Sequence, residues 1–395
     1  MIRNIKQKLV LNKNFFNIIR YTSNTKRKPI YHYQEPMILN EEEQKAYMKY
    51  FPRLWEDATH IEGFQDYPLV RKRLGRMIEH ISPCGKHMKQ HLLIYTYKSI
   101  EEHYKSFTPD RMEQIHQLAW CSELLNSQFL MLDDIMDDHH VRHGKITWFK
   151  MEGVDAINDT YLIQTALYQL IKKYFCKHPN YIKILENFMW QELAITMALE
   201  SETKNFEDFT LERCYARGVS KFAYYSFGQV LSLATLLANK GLHMYEMGKK
   251  VCDYLGFLFT LRNDLLDHYA GELNGKPGLD IQGKEFTNLI AFALHKASPS
   301  QKRILEECYG HYDNEKVEKV KKLYEELGVL EECFALEKTY CDKILEELEN
   351  MPDEFLRSLF EKYLYATTYG RFGVPIIQQN EEKYGHGDVR CIIQT

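Results

Sequence analysis

Residues 129–144 read FLMLDDIMDDHHVRHG. Four carboxylates, Asp133, Asp134, Asp137 and Asp138, fall within six positions after an apolar run, and two histidines and an arginine follow. Apolar residues at Leu118, Cys121, Leu125, Phe129 and Leu132 recur at intervals of three and four, which predicts a helix running into the acids. Asp133 and Asp137 then share a helix face, with Asp134 beside them. Carboxylates in a last turn meet the negative end of the helix dipole, and nothing local is expected to stabilise them. A divalent cation would. Hard oxygen ligands on one face suit Mg2+, which commonly takes one or two carboxylates together with substrate phosphates.

A second run, NDLLD, sets Asn263, Asp264 and Asp267 at the end of another apolar helix, GFLFTLRNDLLDHY (256–269), with Asn263 and Asp267 on one face. Two oxygen-rich helix ends of this kind could face each other across a bundle and hold a highly anionic ligand through metal ions. Bases accompany them: Arg142 after the first run, Lys276 in GKPGLD (275–280) after the second, and Lys221 between them in SKFAYYSFG. Phosphate oxygens need such cationic donors, so the set points to a diphosphate carrying an apolar tail.

The elements that must position these residues are helical. Leu162, Ala166, Leu170 and Tyr174 form a second stripe, Glu/Lys-rich segments such as EKVEKVKKLYEEL (315–327) follow, and β-branched alternation is scarce. No repeat or composition shift appears after residue 40. Residues 36–378 therefore read as one large all-α domain, a helical bundle, and residues 379–395 as a polar tail. Residues 1–34 hold eight Lys/Arg and no acid before Glu35, with Phe15, Phe16, Ile18 and Ile19 among the bases. That composition reads as a mitochondrial presequence over residues 1–35; without it the expected location is cytoplasmic. A net charge of −4 gives no support for a nucleic-acid partner. No apolar run reaches the roughly 18 residues of a membrane span. Nine scattered cysteines without a C-x-x-C pair argue against zinc and for reduced thiols.

WCSELLNSQFLMLDDIMD (120–137), DAIND (155–159), AYYSF (223–227), GKPGLDIQ (275–282) and KKLYEELGV (321–329) resemble, in order and spacing, motifs of the trans-isoprenyl diphosphate synthases, those making farnesyl diphosphate above all. The resemblance runs from about residue 35 to about residue 365. It implies an all-α bundle around a deep apolar cavity, a homodimer, and a trinuclear Mg2+ cluster gripping an allylic prenyl diphosphate, with Mn2+ as an alternative ion. It implies Asp133, Asp134, Asp137, Asn263, Asp264 and Asp267 as metal ligands. Lys86, Arg142, Lys221 and Lys276 would bind diphosphate, and Asp133, Asp134, Asp137 and Lys221 would be catalytic. Members of the family ionise the allylic diphosphate, and isopentenyl diphosphate, held by basic residues, attacks the cation.

The departures from the pattern gather on the second substrate. The G-K-x-x-R box reads GKHMK, so Lys86 stays and Lys89 replaces the arginine; a lysine cannot reproduce the planar fork. Arg-Arg reads Arg142–His143, and histidine is mostly neutral at pH 7. Asn126, Leu199, Glu202, Phe222 and Thr260 also depart, and Asn263 replaces the first aspartate of the second run. The ionising half is spared. Gln128 and Phe129 stand where such enzymes set chain length, Thr260 faces the cavity, and Phe129, Phe222 and Tyr225 offer aromatic faces to a cation. The resulting expectation is a class I terpene synthase, a lyase that turns farnesyl diphosphate into a sesquiterpene with release of diphosphate. Insect terpene synthases, which look derived from farnesyl diphosphate synthases, are the parallel; geranyl diphosphate giving a monoterpene stays open. The alternatives are a prenyltransferase that still uses isopentenyl diphosphate, and a non-catalytic subunit of a prenyl synthase.

Overall fold

The computed structural model describes residues 31–32, 38–106, 108–189, 192–203, 205–269, 278–369 and 376–377. The presequence expected over residues 1–35, apart from residues 31–32, the tail expected over 379–395, and Lys276 lie outside the described residues. Helices dominate. In chain order they are α1 (Glu41–Lys49), α2 (Phe51–Thr59), α3 (Pro68–Ile81), α4 (Met88–His103) and α5 (Pro109–Met136). A short hairpin, β1 (Val141–Arg142) and β2 (Lys145–Ile146), precedes α6 (Trp148–Glu152), α7 (Ala156–Phe175), α8 (Tyr181–Met189), α9 (Glu192–Glu202) and α10 (Leu211–Gly218). A π-helix, Val219–Gly228, leads into α11 (Gln229–Leu237) and α12 (His243–His268). The series closes with α13 (Asn288–Lys296), α14 (Pro299–Cys308), α15 (Asn314–Glu326), α16 (Val329–Asn350) and α17 (Glu354–Tyr369). No described helix is long and apolar enough to cross a membrane. The eight described cysteines are free thiols.

Local chemistry sets the helix starts. Asn40 and Glu43 form a reciprocal capping box on α1, and Ser298 and Gln301 form one on α14. Thr287 caps α13 and Asp313 caps α15 by accepting from backbone N–H groups of the first turn. Each such cap contributes about 1 kcal/mol.

The contacts divide the chain into two compact units. The first is Met37–Met197 with Tyr224–Lys249, and the second is the described part of Met1–Pro36, Ala198–Ala223 and Lys250–Thr395. In the first unit α5 packs against α4 and α7, and α4 against α11. From Ile115 to Phe129 almost every side chain of α5 is buried, which makes it the central helix of that unit. Trp120 is fully buried, stacks on Tyr47 at 4.6 Å between ring centroids, and donates its indole N–H to the Tyr47 carbonyl at 3.0 Å. In the second unit α10 packs on α13, α13 on α16 and α14 on α15 around Leu261, Leu265, Ile290, Leu305, Val320 and Val329. Each fully buried aliphatic side chain stabilises by about 1.5–3 kcal/mol.

Candidate active site

Helix α5 ends at Met136, and Asp137 is its C-cap. The hairpin then turns through His143 (φ 51°) and Gly144 (φ 75°). Two positive φ values in a two-residue loop are what a type I′ hairpin turn requires. The turn carries Arg142 back to the helix end. Its Nε donates to Asp134 Oδ1 at 2.6 Å and its Nη2 to Asp133 Oδ2 at 2.5 Å. The expectation that nothing local stabilises these carboxylates therefore fails: a guanidinium eight and nine residues downstream does so. Burial works against the Arg142 charge, but the Asp133 and Asp134 carboxylates outweigh it and hold the group charged beyond its ordinary range.

His139 joins the same cluster, its Nδ1 lying 3.4 Å from Asp134 Oδ1. The Asp134 carboxylate raises the imidazole above its usual pKa. Asp133, Asp134 and His139 each present a ligand atom within 4.8 Å of the others. The two carboxylates offer a divalent cation hard oxygen ligands, and the partly exposed Asp133 leaves room for waters and phosphate oxygens. Asp137, beyond the helix end, is exposed and is not a member of this group of three. His139 escaped the sequence reading, although its position in DDHH is the signal that was there.

A network centred on the buried Asp159 anchors α6, which follows the hairpin. Arg73 grips Asp159 through Nε and Nη2, both at 2.7 Å, and Asp159 also accepts the Trp148 indole N–H at 2.7 Å. Arg73 Nη1 donates to Glu152 at 2.9 Å. The last aspartate of DAIND is thus a fully buried anchor for α6, immediately after the hairpin.

The GKHMK segment divides in two. Lys86 is exposed, and His143 packs against this turn: a methyl added to Gly85 would meet its Nε2 at 3.0 Å. Burial, and then the Arg142 charge, push the His143 imidazole below its usual pKa, so it is neutral at pH 7. Lys89 is buried instead. Its Nζ donates to Gln229 Oε1 at 2.7 Å and lies 3.2 Å from the Tyr225 ring centroid. Burial pushes it well below the usual lysine range. Tyr225 also donates to Asn126 Oδ1 at 3.1 Å and meets Phe129 edge-on at 6.2 Å between centroids. Gln128 is buried, with no hydrogen-bond partner for Oε1 among the described residues.

In the second unit, Gly256 lets the π-helix approach α12 closely: a Cβ there would stand 2.4 Å from Ala223 N. Phe222 on the π-helix meets Phe259 edge-on at 4.6 Å, and Thr260 Oγ1 donates to the Gly256 carbonyl at 3.1 Å. Lys221 Nζ lies 3.0 Å from Glu200 Oε1. Asn263 is exposed, while Asp264 is buried between Arg217 Nη2 at 3.2 Å and the N–H and side-chain amide of Asn288 at 2.8 and 2.7 Å. Asp267 accepts from Leu279 N and Asp280 N, both at 3.0 Å. Gly278 is required there, since a Cβ would fall 2.0 Å from the Asp267 carbonyl oxygen. Arg217 and Glu200 were not singled out by the sequence, because a lone base and a lone acid on helices carry no spacing signal.

Comparison with known proteins follows the same lines. The sequence matches the polyprenyl synthetase family over residues 71–327. It is 30% identical over 334 residues to the farnesyl pyrophosphate synthase of Rattus norvegicus, covering 82% of this chain and 94% of that protein. It is 29% identical over 352 residues to the geranyl diphosphate synthase of Ips pini, covering 82% of this chain and 83% of that protein. The fold matches the crystal structure of farnesyl diphosphate synthase from T. brucei with a TM-score of 0.76 and 21% identity, covering 83% of this chain and all of that one. The chain belongs to the polyprenyl synthetase family and is an enzyme of the prenyl synthase class.

Proposed function

We propose that the chain is a prenyltransferase that joins an allylic prenyl diphosphate to isopentenyl diphosphate and releases diphosphate. The reading is carried by the first acidic cluster, where Asp133, Asp134 and His139 converge under Arg142 in a chain whose relatives are named for farnesyl and geranyl diphosphate synthesis. Asp133 and Asp134 would hold Mg2+ through their carboxylate oxygens, and the ion when bound supplies charge to the leaving diphosphate. Arg142 offers a planar fork to the same oxygens. Lys221 and Lys276 would serve as further bases for diphosphate, as the resemblance implies. Lys86, exposed beside His143, would take the diphosphate of isopentenyl diphosphate. Positive groups already in place where charge develops need no rearrangement during reaction, which is the main source of rate in such a site. Gln128 and Phe129 would bound the prenyl tail. The enzyme would act as a homodimer, as the resemblance implies, and the leader would direct it to mitochondria.

Cyclisation of farnesyl diphosphate is the second reading. The inward-facing Lys89 and the neutral His143 favour it, because both weaken the grip expected on a second diphosphate. The aromatic argument weighs against it: the Tyr225 ring has Lys89 Nζ over one face. The relatives favour prenyl transfer. The test supplies the full chain and Mg2+ with dimethylallyl or geranyl diphosphate plus isopentenyl diphosphate, and separately with farnesyl diphosphate alone. Longer prenyl diphosphates in the first supports transfer. A hydrocarbon in the second, without elongation in the first, would establish cyclisation.

A further inference from the structure

The turn that carries Lys86 is held at both ends by one face of α5. It runs from Ser82, the C-cap of α3, to His87, the N-cap of α4. At the first end Ser82 Oγ lies 3.1 Å from Ser127 Oγ, and both residues are buried. At the other end His87 Nδ1 lies 3.3 Å from Glu123 Oε2, again with both side chains buried. Glu123 and Ser127 stand four residues apart and so share a helix face. Between the two anchors, Gly85 and Lys86 are exposed.

The His87 backbone is left-handed, with φ 46° and ψ 33°. A residue with a Cβ keeps that conformation where its surroundings fix it. Here they do. The imidazole meets the Tyr47 ring of α1 edge-on at 5.5 Å between centroids and lies 5.7 Å from the Trp120 ring of α5. The His87 carbonyl accepts the His91 N–H at 2.9 Å, which opens α4. Glu123 is held in turn, because Asn126 Nδ2 donates to its Oε1 at 3.2 Å. Burial opposes a charge on the imidazole, but the Glu123 carboxylate outweighs it and raises the pKa above the usual histidine value. His87 joins Lys86 directly to the first turn of α4, so its dihedrals set the angle at which Lys86 leaves the helix. Helix α5 thus ends in Asp133 and Asp134 and, about 15 Å back along its axis, carries the carboxylate that anchors this turn.

We propose that His87 is a positioning residue for the second substrate: its imidazole, paired with the buried Glu123, locks the left-handed turn that presents Lys86 to the diphosphate of isopentenyl diphosphate. This role rests on the reading that Lys86 takes that diphosphate. A charged donor held in place before the ligand arrives binds it with less ordering to be done on contact. Neither His87 nor Glu123 touches the substrate in this arrangement; both act through the backbone of Lys86.

The test is steady-state kinetics of the full chain with Mg2+, isopentenyl diphosphate and dimethylallyl or geranyl diphosphate. His87→Gly keeps access to the left-handed backbone and removes the imidazole. It should raise the KM for isopentenyl diphosphate about fivefold or more, with kcat and the KM for the allylic diphosphate within about twofold of wild type. Should His87→Gly not fold, Glu123→Gln, which keeps the shape and removes the charge, replaces it in the same comparison. Added to Lys86→Gln, either variant should change the KM for isopentenyl diphosphate by less than about twofold, because the residue it positions is already gone. An unchanged KM where Lys86→Gln raises it overturns the role of His87 and leaves the reading of Lys86 standing. An equal rise in both KM values, or a full additive effect in the double variant, means a general structural role and also overturns it. No effect of Lys86→Gln, or no isopentenyl diphosphate consumed by wild type, overturns the reading of Lys86 and the role of His87 with it.

Discussion

Lys89 Nζ donates to Gln229 Oε1 at 2.7 Å and stands 3.2 Å from the centroid of the Tyr225 ring. A lysine in the position of a diphosphate-binding arginine is thereby turned into the protein interior, where it serves the packing of α4 against α11. Lys86, three residues earlier, stays exposed beside His143.

The two lysines should therefore separate in kinetics. Lys89→Gln is expected to change the KM for isopentenyl diphosphate by less than about threefold. Lys86→Gln removes a charged donor from a diphosphate, a loss of about 1.5–3 kcal/mol, and should raise the same KM about tenfold or more. Steady-state kinetics with the allylic substrate saturating checks both. Equal effects at the two positions would contradict the assignment.

The first cluster should govern turnover. Asp134→Asn is expected to lower kcat by about 10²–10³-fold, with the fold intact by circular dichroism. Arg142→Lys should raise the KM for the allylic diphosphate, because one ammonium cannot reach two carboxylates and a phosphate in the plane that the guanidinium spans. Chelation of divalent ions should abolish turnover, and Mg2+ should restore it. Full activity in the chelator would refute the role given to Asp133 and Asp134.

These residues were unequally legible. The density of DDIMDD and the apolar stripe before it pointed to Asp133 and Asp134 at a helix end, and there they are. The closure by Arg142 was not read, because it depends on a hairpin whose His143–Gly144 turn reverses the chain; a residue-glycine pair between short extended segments was the available signal. The burial of Lys89 and Arg217 was invisible. Long cationic side chains are usually at the surface, and only the packing of distant helices reveals an interior one. The π-helix carrying Lys221, Phe222 and Tyr225 had no counterpart in a period-3.6 reading. The all-α class was legible throughout, whereas the grouping of contacts into two units lay beyond periodicity.

Asp159 should matter for stability rather than chemistry. Its side chain is fully buried and joins Arg73, Trp148 and α6. Asp159→Ala leaves the Arg73 guanidinium with Glu152 alone and the buried Trp148 indole N–H without its acceptor, at a cost of about 1–3 kcal/mol. Urea unfolding should show a lower midpoint at unchanged slope, and the KM for the allylic diphosphate should rise because the Arg142 hairpin loosens. A midpoint equal to wild type would remove this anchor from the account.

His116 gives the acid limb of stability. Burial holds its imidazole below the usual pKa. The unfolded chain therefore takes up a proton near pH 6.5 that the folded chain declines. Its contribution is present above the unfolded pKa and is lost as pH falls through the folded pKa, because the unfolded state binds more protons across that window. Relative to wild type, His116→Gln should show a shallower loss of stability below pH 6.5 in urea titrations, which is the sign that decides the point.

The central claim is transfer of a prenyl group to isopentenyl diphosphate. It is tested most directly by measuring, on one sample of the full chain with Mg2+, both the diphosphate released and the isopentenyl diphosphate consumed. Prenyl transfer predicts one isopentenyl diphosphate consumed for each diphosphate released, with both events slowed together about 10²–10³-fold in Asp134→Asn. Diphosphate released from an allylic substrate while isopentenyl diphosphate remains untouched would contradict it.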